Sequence, residues 1–142
     1  MAAVAGLSAV AAPAASASDG YGSCGSGYHQ IDSWTLPLTS GSNVGGGKLL
    51  LYYNSSTGNN CAITQATGSS FSRSYQYIDV HLGRSDGSSS HSDAGWYRYY
   101  AGPVYVHAPG ACIDVSGRIE VRTSGGVIMS EHELQRSRIH CG

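Results

Sequence analysis

The chain has 142 residues, a formal net charge of -1 and a single lysine, Lys48. It lacks the basic surface that attracts nucleic acids and anionic membranes, so we expect neither as a partner. Charged residues make up 12% of the chain, about half of the usual share of roughly 25%, while 20 glycines and 10 tyrosines are present. This composition is typical of an extracellular β-protein with one domain.

The first 17 residues, MAAVAGLSAVAAPAASA, are small and apolar and end in an A-x-A pattern. Cleavage after Ala17 is therefore predicted, with 1–17 as an export signal and 18–142 as a single mature domain. No Lys or Arg precedes Lys48, so the charged start of a full signal is missing from this sequence. The apolar run is shorter than the roughly 20 residues that a bilayer crossing needs, and no membrane span is expected.

The predicted mature part contains four cysteines, Cys24, Cys61, Cys112 and Cys141. An even number of cysteines behind an export signal predicts two disulfides. Three pairings are possible, and we favour Cys24 with Cys61 and Cys112 with Cys141 because each pair closes a local loop. No two cysteines have the close spacing of a zinc knuckle, so we expect no metal and no cofactor.

Short apolar runs alternate with turn residues along the chain, which predicts an all-β fold. The predicted strands cover 28–34, 48–53, 61–66, 75–82, 95–100, 104–107, 112–115 and 118–123. Within 75–82, alternation places Ile78, Val80 and Leu82 on one face, which we assign to the core. We therefore expect an antiparallel β-sandwich of about seven or eight short strands, immunoglobulin-like in general architecture and stapled by two disulfides.

Three connections have their own patterns. The stretch 54–60 is rich in turn residues and predicts a hairpin between two neighbouring strands, with Gly58 free to adopt a positive φ. Residues 83–93 are predicted to form a loop. Near the end, Ser130 and Glu133 match a capping box, which predicts a helix of at most two turns over 131–138.

Histidines are the first place to look for chemistry. His132 and Glu133 resemble the start of H-E-x-x-H, but Arg136 occupies the second ligand position, so the chain is not expected to be a metalloprotease. Asp79 and His81 share a strand face with two tyrosines and could bind a metal or orient a base. We prefer a solvated sheet face with packed rings. No G-x-S-x-G elbow is present, and we expect no catalytic residues.

Aromatic residues are concentrated around 101–103, a stretch that we interpret as a hairpin region. Exposed rings there could stack on sugars or anchor a partner protein, whereas buried rings would cover the core of the sandwich and its rim. The candidate binding surface consists of Trp96, Tyr97, Tyr99, Tyr100 and Tyr105.

Several stretches carry a resemblance to a known family. They are 22–28 (GSCGSGY), 51–62 (LYYNSSTGNNCA), 99–105 (YYAGPVY), 110–113 (GACI) and 140–142 (HCG), and together they include all four cysteines. Through them the chain resembles the spore-associated protein A family, small exported proteins of filamentous actinobacteria. The chain departs from the family pattern at 127–139, which is polar and helix-prone.

The resemblance implies a secreted, non-enzymatic protein associated with spores or aerial structures, with partners among spore or cell-wall surface components. One alternative is an extracellular module that binds carbohydrate or protein through exposed tyrosines. Another is a protease inhibitor that presents the loop 83–93 to a protease cleft. An enzyme would need Asp79 or His81 in a concave pocket with a perturbed pKa.

Overall fold

The computed structural model describes residues 20–68, 70 and 76–142, and its regular structure is almost entirely strand. The predicted export signal over 1–17 and Tyr75 lie outside the described residues. The described strands, in chain order, are β1 (His29–Thr35), β2 (Leu38–Gly41), β3 (Gly47–Asn54), β4 (Asn59–Ala66), β5 (Gln76–Arg84), β6 (Ser90–Trp96), β7 (Tyr100–His107), β8 (Ile113–Arg122) and β9 (Ile128–Ile139).

These strands form two sheets. One has four strands in the order β1-β3-β4-β7, and the other has five in the order β2-β9-β8-β5-β6. All neighbouring strands run antiparallel. The predicted β-sandwich is confirmed, and the described residues contain nine strands, slightly more than the seven or eight expected.

One apolar cluster fills the space between the sheets. The cluster includes Leu49 and Leu51 of β3 and Ile78 and Leu82 of β5, and all four side chains are fully buried. The predicted assignment of the β5 face to the core is therefore confirmed. Gly117 of β8 lies so close to β4 that a Cβ there would collide with the Thr64 hydroxyl. A glycine at this position lets the two sheets approach each other.

The hairpin predicted at 54–60 is confirmed, because β3 and β4 pair in register from Gly47 with Ala66 to Asn54 with Asn59. Gly58 in its turn adopts a φ of 77°, where a side chain would be strained. The Asn54 side chain accepts hydrogen bonds from the backbone N–H groups of Ser56 and Thr57, which fixes the turn.

The prediction for 83–100 was wrong in its boundaries. Much of the expected loop 83–93 is strand, because β5 continues to Arg84 and β6 begins at Ser90. Asp86 stabilises the short turn between them by accepting hydrogen bonds from Ser88. The chain then leaves the five-stranded sheet after Trp96 and enters the other sheet at Tyr100. Residues 101–103, expected in a hairpin, lie within β7. Glycine and serine in β6 weaken its apolar pattern and conceal the strand.

The C-terminal third also differs from expectation. The predicted strands 112–115 and 118–123 are one continuous strand, β8, and the predicted helix 131–138 is part of β9. Pairing with β8 along most of its length outweighs the local capping pattern of β9. The hydroxyl of Ser130, expected to cap a helix, instead donates a hydrogen bond to the Val44 carbonyl at 2.7 Å.

Disulfides join Cys24 to Cys61 and Cys112 to Cys141, the pairs that the sequence favours. The first connects the segment before β1 to β4 in the four-stranded sheet. The second closes the open end of the β8–β9 hairpin, because Cys112 directly precedes β8 and Cys141 follows β9. Neither bond links one sheet to the other.

Candidate functional site

The five aromatic residues of the candidate surface do not share one face. Trp96 ends β6 in the five-stranded sheet, whereas Tyr100 and Tyr105 belong to β7 in the four-stranded sheet. Tyr97 and Tyr99 lie in the connection between the two sheets. The residues of the aromatic-rich stretch are therefore divided between the two sheets and the corner that connects them.

Tyr100 and Tyr105 lie under residues 20–28, which we call the N-terminal segment. A Cβ on Gly22 would approach the Tyr100 ring within 3.0 Å, so the segment's backbone lies directly on this ring. The hydroxyl of Tyr105 donates a hydrogen bond to the Cys24 carbonyl at 3.0 Å, and its ring lies 5.6 Å from that of Tyr28. These two tyrosines hold the N-terminal segment on the sheet.

Gln65 of β4 fastens the same segment. Its amide group donates to the Gly20 carbonyl at 2.7 Å, and its carbonyl oxygen accepts from the Gly22 N–H at 2.8 Å. The same amide group also donates to the carbonyls of Ala66 and Tyr99, each at 3.1 Å. Gln65 is only 3% exposed. Because a buried amide must be hydrogen-bonded, the segment and Gln65 depend on each other.

Tyr97 stabilises the corner between the sheets. Its hydroxyl donates a hydrogen bond to one oxygen of Asp93 at 2.7 Å, while the other oxygen accepts from the Gly102 N–H at 2.8 Å. The hydrogen bond to Asp93 raises the pKa of Tyr97, since it stabilises the protonated phenol. The hydroxyl of Tyr97 is therefore used in a hydrogen bond within the protein that stabilises this corner.

Trp96 is the aromatic residue of the set that is most open to solvent, with 58% of its surface exposed. Its ring meets the Tyr77 ring edge to face, with centroids 5.4 Å apart, and the Arg122 guanidinium lies 5.8 Å from its centroid. Arg122 in turn forms an ion pair with the buried Glu120 at 2.7 Å. These contacts orient the indole while much of it stays exposed.

Charged side chains continue this outer surface across the sheet. Arg118 of β8 bridges two carboxylates, binding Asp79 at 2.9 Å and Glu131 at 3.2 Å. Burial raises the pKa of Asp79, and this effect outweighs the opposing attraction of Arg118. We call this surface the Trp96 face, and it consists of Tyr77, Asp79, Trp96, Arg118, Glu120, Arg122 and Glu131.

Asp79 and His81 point to the same side of β5, as their alternation predicts. However, Asp79 is engaged by Arg118, while His81 shares a 2.8 Å hydrogen bond with the Ser92 hydroxyl. Within the described ranges, no group of three or more His, Cys, Asp or Glu side chains is arranged to hold a metal ion. His132 and Glu133 lie on a strand and point to opposite faces of the sheet.

The Trp96 face combines an oriented aromatic ring with fixed hydrogen-bonding groups. An exposed indole offers apolar area to the C–H faces of a sugar, and neighbouring carboxylates and guanidinium groups can bind hydroxyls. Sequence reasoning selected Trp96 and Asp79 but missed Arg118 and Glu131. Alternation along 118–122 marks Glu120 and Arg122 as outward-facing, but the strand pairing that completes the surface cannot be read from one sequence.

The part of the chain that the structure describes has no helix long and apolar enough to cross a membrane.

Comparison with known proteins gives one relative. Over 100 residues, the chain is 38% identical to Spore-associated protein A of Streptomyces coelicolor, and the match covers 69% of this chain and 57% of the relative. The chain thus spans somewhat more than half the length of that relative. No family model and no solved structure matches. On the identity and coverage of this match, the chain belongs to the spore-associated protein A family.

Proposed function

We propose that the protein is a secreted, non-enzymatic component of the surface of spores or aerial structures. Its relationship to Spore-associated protein A is the observation that carries this proposal. Its partners are then components of the spore surface or cell wall. The ion pairing of Asp79 by Arg118 supports a non-enzymatic role, because the carboxylate is already engaged by another protein group.

The two disulfides support the secreted location. All four cysteines are paired and none of them is free. Structural disulfides form and persist in oxidising environments outside the cytosol, where thiols are not kept reduced. An exported protein that remains on a spore surface would retain both bonds.

Intact mass measurement tests this proposal. The protein is purified from culture medium and from spore washes, and its intact mass in each sample is measured before and after reduction. We expect the mass of a chain that begins near Ser18, and we expect this mass to rise by four hydrogens on reduction. The protein should be enriched in the spore wash. Retention in the cytoplasm with an uncleaved N-terminus and free thiols would contradict the proposal.

A second candidate function is favoured by the exposure of Trp96. We propose that the Trp96 face binds carbohydrate, since an oriented, exposed indole is suited to stacking on a sugar ring. The polymers of a spore or hyphal wall would present such rings repeatedly. A face of this kind would attach the protein to its surface without any reaction.

Sedimentation with insoluble polysaccharides tests the second function. The purified protein is mixed with chitin, cellulose or peptidoglycan, and the bound fraction is measured for the wild type and for Trp96→Ala. Tyr21→Ala is the matched control, because Tyr21 is similarly exposed, at 57%, but lies in the N-terminal segment. We expect only Trp96→Ala to reduce binding. Equal binding by both variants, or no binding by the wild type, would refute a carbohydrate-binding role for this face.

A further inference from the structure

A recess lies between the turn of the β3–β4 hairpin and the residues that follow β9. It has a volume of about 370 Å³, which is sufficient for one sugar-sized molecule. Its lining includes Ile31, Tyr53, Asn60, Ala108 and His140, and we call it the Asn60 pocket. It combines apolar surface with a few hydrogen-bonding groups, as sites for small molecules usually do.

Asn60 is the unusual member of this lining. It stands opposite Tyr53 and Val106 in the sheet, and Val106 belongs to the core, so all three side chains share the inward face. Only 3% of Asn60 is exposed, yet its side-chain amide has no hydrogen-bond partner among the described residues. Buried side-chain amides are nearly always hydrogen-bonded within a protein, so this one is available to a ligand.

The amide of Asn60 can be reached from the pocket. The polar side-chain atoms that are both sealed from solvent and unpaired belong to other described residues, so the two polar atoms of Asn60 keep some contact with the outside. Because Asn60 is otherwise buried and lines the pocket, the pocket is the opening that gives this contact. The amide offers a donor, Nδ2, and an acceptor, Oδ1, side by side.

The charges around the pocket favour a neutral ligand. None of the described side chains that line it belongs to a lysine, arginine, aspartate or glutamate. The ring of His140 is already engaged by Asp32, whose carboxylate oxygen lies 3.1 Å from Nε2. A charged ligand would therefore lose hydration in the pocket without gaining an ion pair from the lining side chains.

The disulfide between Cys112 and Cys141 holds one wall of the pocket in place. His140 directly precedes Cys141, and Gly110, which also lines the pocket, lies two residues before Cys112. The contact between His140 and Asp32 then joins this wall to β1. A wall that is fixed before binding reduces the entropy that a ligand must overcome.

We propose that the Asn60 pocket binds a neutral sugar residue through two adjacent hydroxyl groups. One hydroxyl accepts a hydrogen bond from Nδ2 of Asn60, and its neighbour on the sugar ring donates one to Oδ1, so both amide atoms are paired. The C–H face of the sugar packs against the apolar surface that Tyr53 and Ile31 provide.

This pocket is separate from the Trp96 face. Trp96 pairs with Tyr77 at the beginning of β5, whereas Ile139, the neighbour of His140, lies in the row of paired residues that contains Arg84 at the end of β5. Sugar binding in the Asn60 pocket therefore does not depend on the carbohydrate binding proposed for the Trp96 face.

NMR of ¹⁵N-labelled protein tests the proposal directly, because the side-chain amide of Asn60 gives a signal of its own. The probes are methyl glucoside, methyl galactoside and methyl mannoside, with tetrahydropyran as a ring without hydroxyl groups and acetamide as a different neutral ligand. We expect saturable shifts of the Asn60 signal with at least one sugar and none with tetrahydropyran. Binding at the Trp96 face alone would leave this signal unchanged, so the two proposals can fail separately.

Three results would overturn the proposal. One is the absence of shifts with all three sugars, and another is an equal response to tetrahydropyran. The third is a response to acetamide but to none of the sugars, which would assign the pocket to an amide ligand instead.

The variant Asn60→Leu separates binding from folding. It keeps the shape of the side chain but removes both hydrogen-bonding atoms, so we expect sugar affinity to fall about tenfold or more. Its free energy of unfolding in urea should be unchanged or higher, because no hydrogen bond within the protein is lost. Binding is then followed at the backbone amides of Ala108 and Gly110, which line the pocket.

Asn59→Leu is the matched control. Asn59 is the neighbouring residue on the other face of β4, and its side chain is hydrogen-bonded to His107 at 3.0 Å. We expect this variant to bind sugar like the wild type. Full affinity in Asn60→Leu, an equal loss in both variants, or a marked loss of stability in Asn60→Leu would overturn the assignment.

Discussion

Replacing Gln65 by methionine should detach the N-terminal segment from the sheet. Methionine has nearly the same length and volume as glutamine but cannot form the four hydrogen bonds that Gln65 makes at 2.7 to 3.1 Å. It would leave the Gly22 N–H and the carbonyls of Gly20 and Ala66 without the Gln65 amide group as a partner, in a region shielded from water. The Tyr99 carbonyl would be less affected, since it also accepts from the Ala66 N–H.

The magnitude follows from these contacts. An unsatisfied buried polar group costs about 1–3 kcal/mol, and three backbone groups lose a partner in this substitution. Because the N-terminal segment can move outward and let water reach its backbone, we expect a net loss of about 2–3 kcal/mol in the free energy of unfolding. That is a large part of the roughly 5–15 kcal/mol that stabilises a typical domain.

Urea unfolding, followed by tryptophan fluorescence with the disulfides intact, measures this loss. Gln135→Met is the control, because Gln135 is exposed on β9 and makes no such contact with the N-terminal segment. Hydrogen exchange at the Gly22 amide should also become faster in Gln65→Met. If both variants differ from the wild type by less than about 0.5 kcal/mol, as for ordinary surface substitutions, the reasoning about Gln65 is refuted.

Two further predictions concern the disulfide at the end of the β8–β9 hairpin and the buried histidine. Cys112→Ala with Cys141→Ala opens a loop with a sequence separation of 29, for which the chain-entropy model gives a loss of about 3.6 kcal/mol. Urea unfolding checks this value, and an unchanged midpoint would contradict it. The lowered pKa of His132 means that the unfolded state binds a proton more readily, so stability should fall as the pH drops through about 6.5. In His132→Phe, the free energy of unfolding should depend less on pH over this range. A pH profile identical to that of the wild type would contradict the lowered pKa of His132.

Local alternation of apolar and polar residues predicted most of the strands but not where each strand begins and ends. The apolar positions Ile78, Val80 and Leu82 identify β5 because one side of this strand contacts the core. By contrast, β6 is edge-located and rich in Gly and Ser, and β9 has a local helix pattern. Their conformation is determined by pairing with β5 and β8, and such long-range pairing leaves little trace in a short sequence window.

The candidate sites show the same limit. Trp96 could be selected from composition alone, because an aromatic-rich stretch in a glycine-rich chain is unusual. The role of Gln65 was not predicted, since nothing local distinguishes a glutamine that fastens a distant segment from one that faces solvent. His132 was examined for a metal motif, and its true environment arises from the approach of Gly46 in a separate loop.

The placement of the disulfides has a consequence for proteolysis. Because neither bond joins the two sheets, the apolar core and the connecting chain hold the sandwich together, in contrast to immunoglobulin domains with an inter-sheet bridge. Mild reduction should therefore release the residues after β9 while leaving the sheets folded, because Cys141 is exposed whereas the Cys24–Cys61 bond is buried. A protease would then remove the residues after β9 first and leave a resistant fragment that contains β1 to β9.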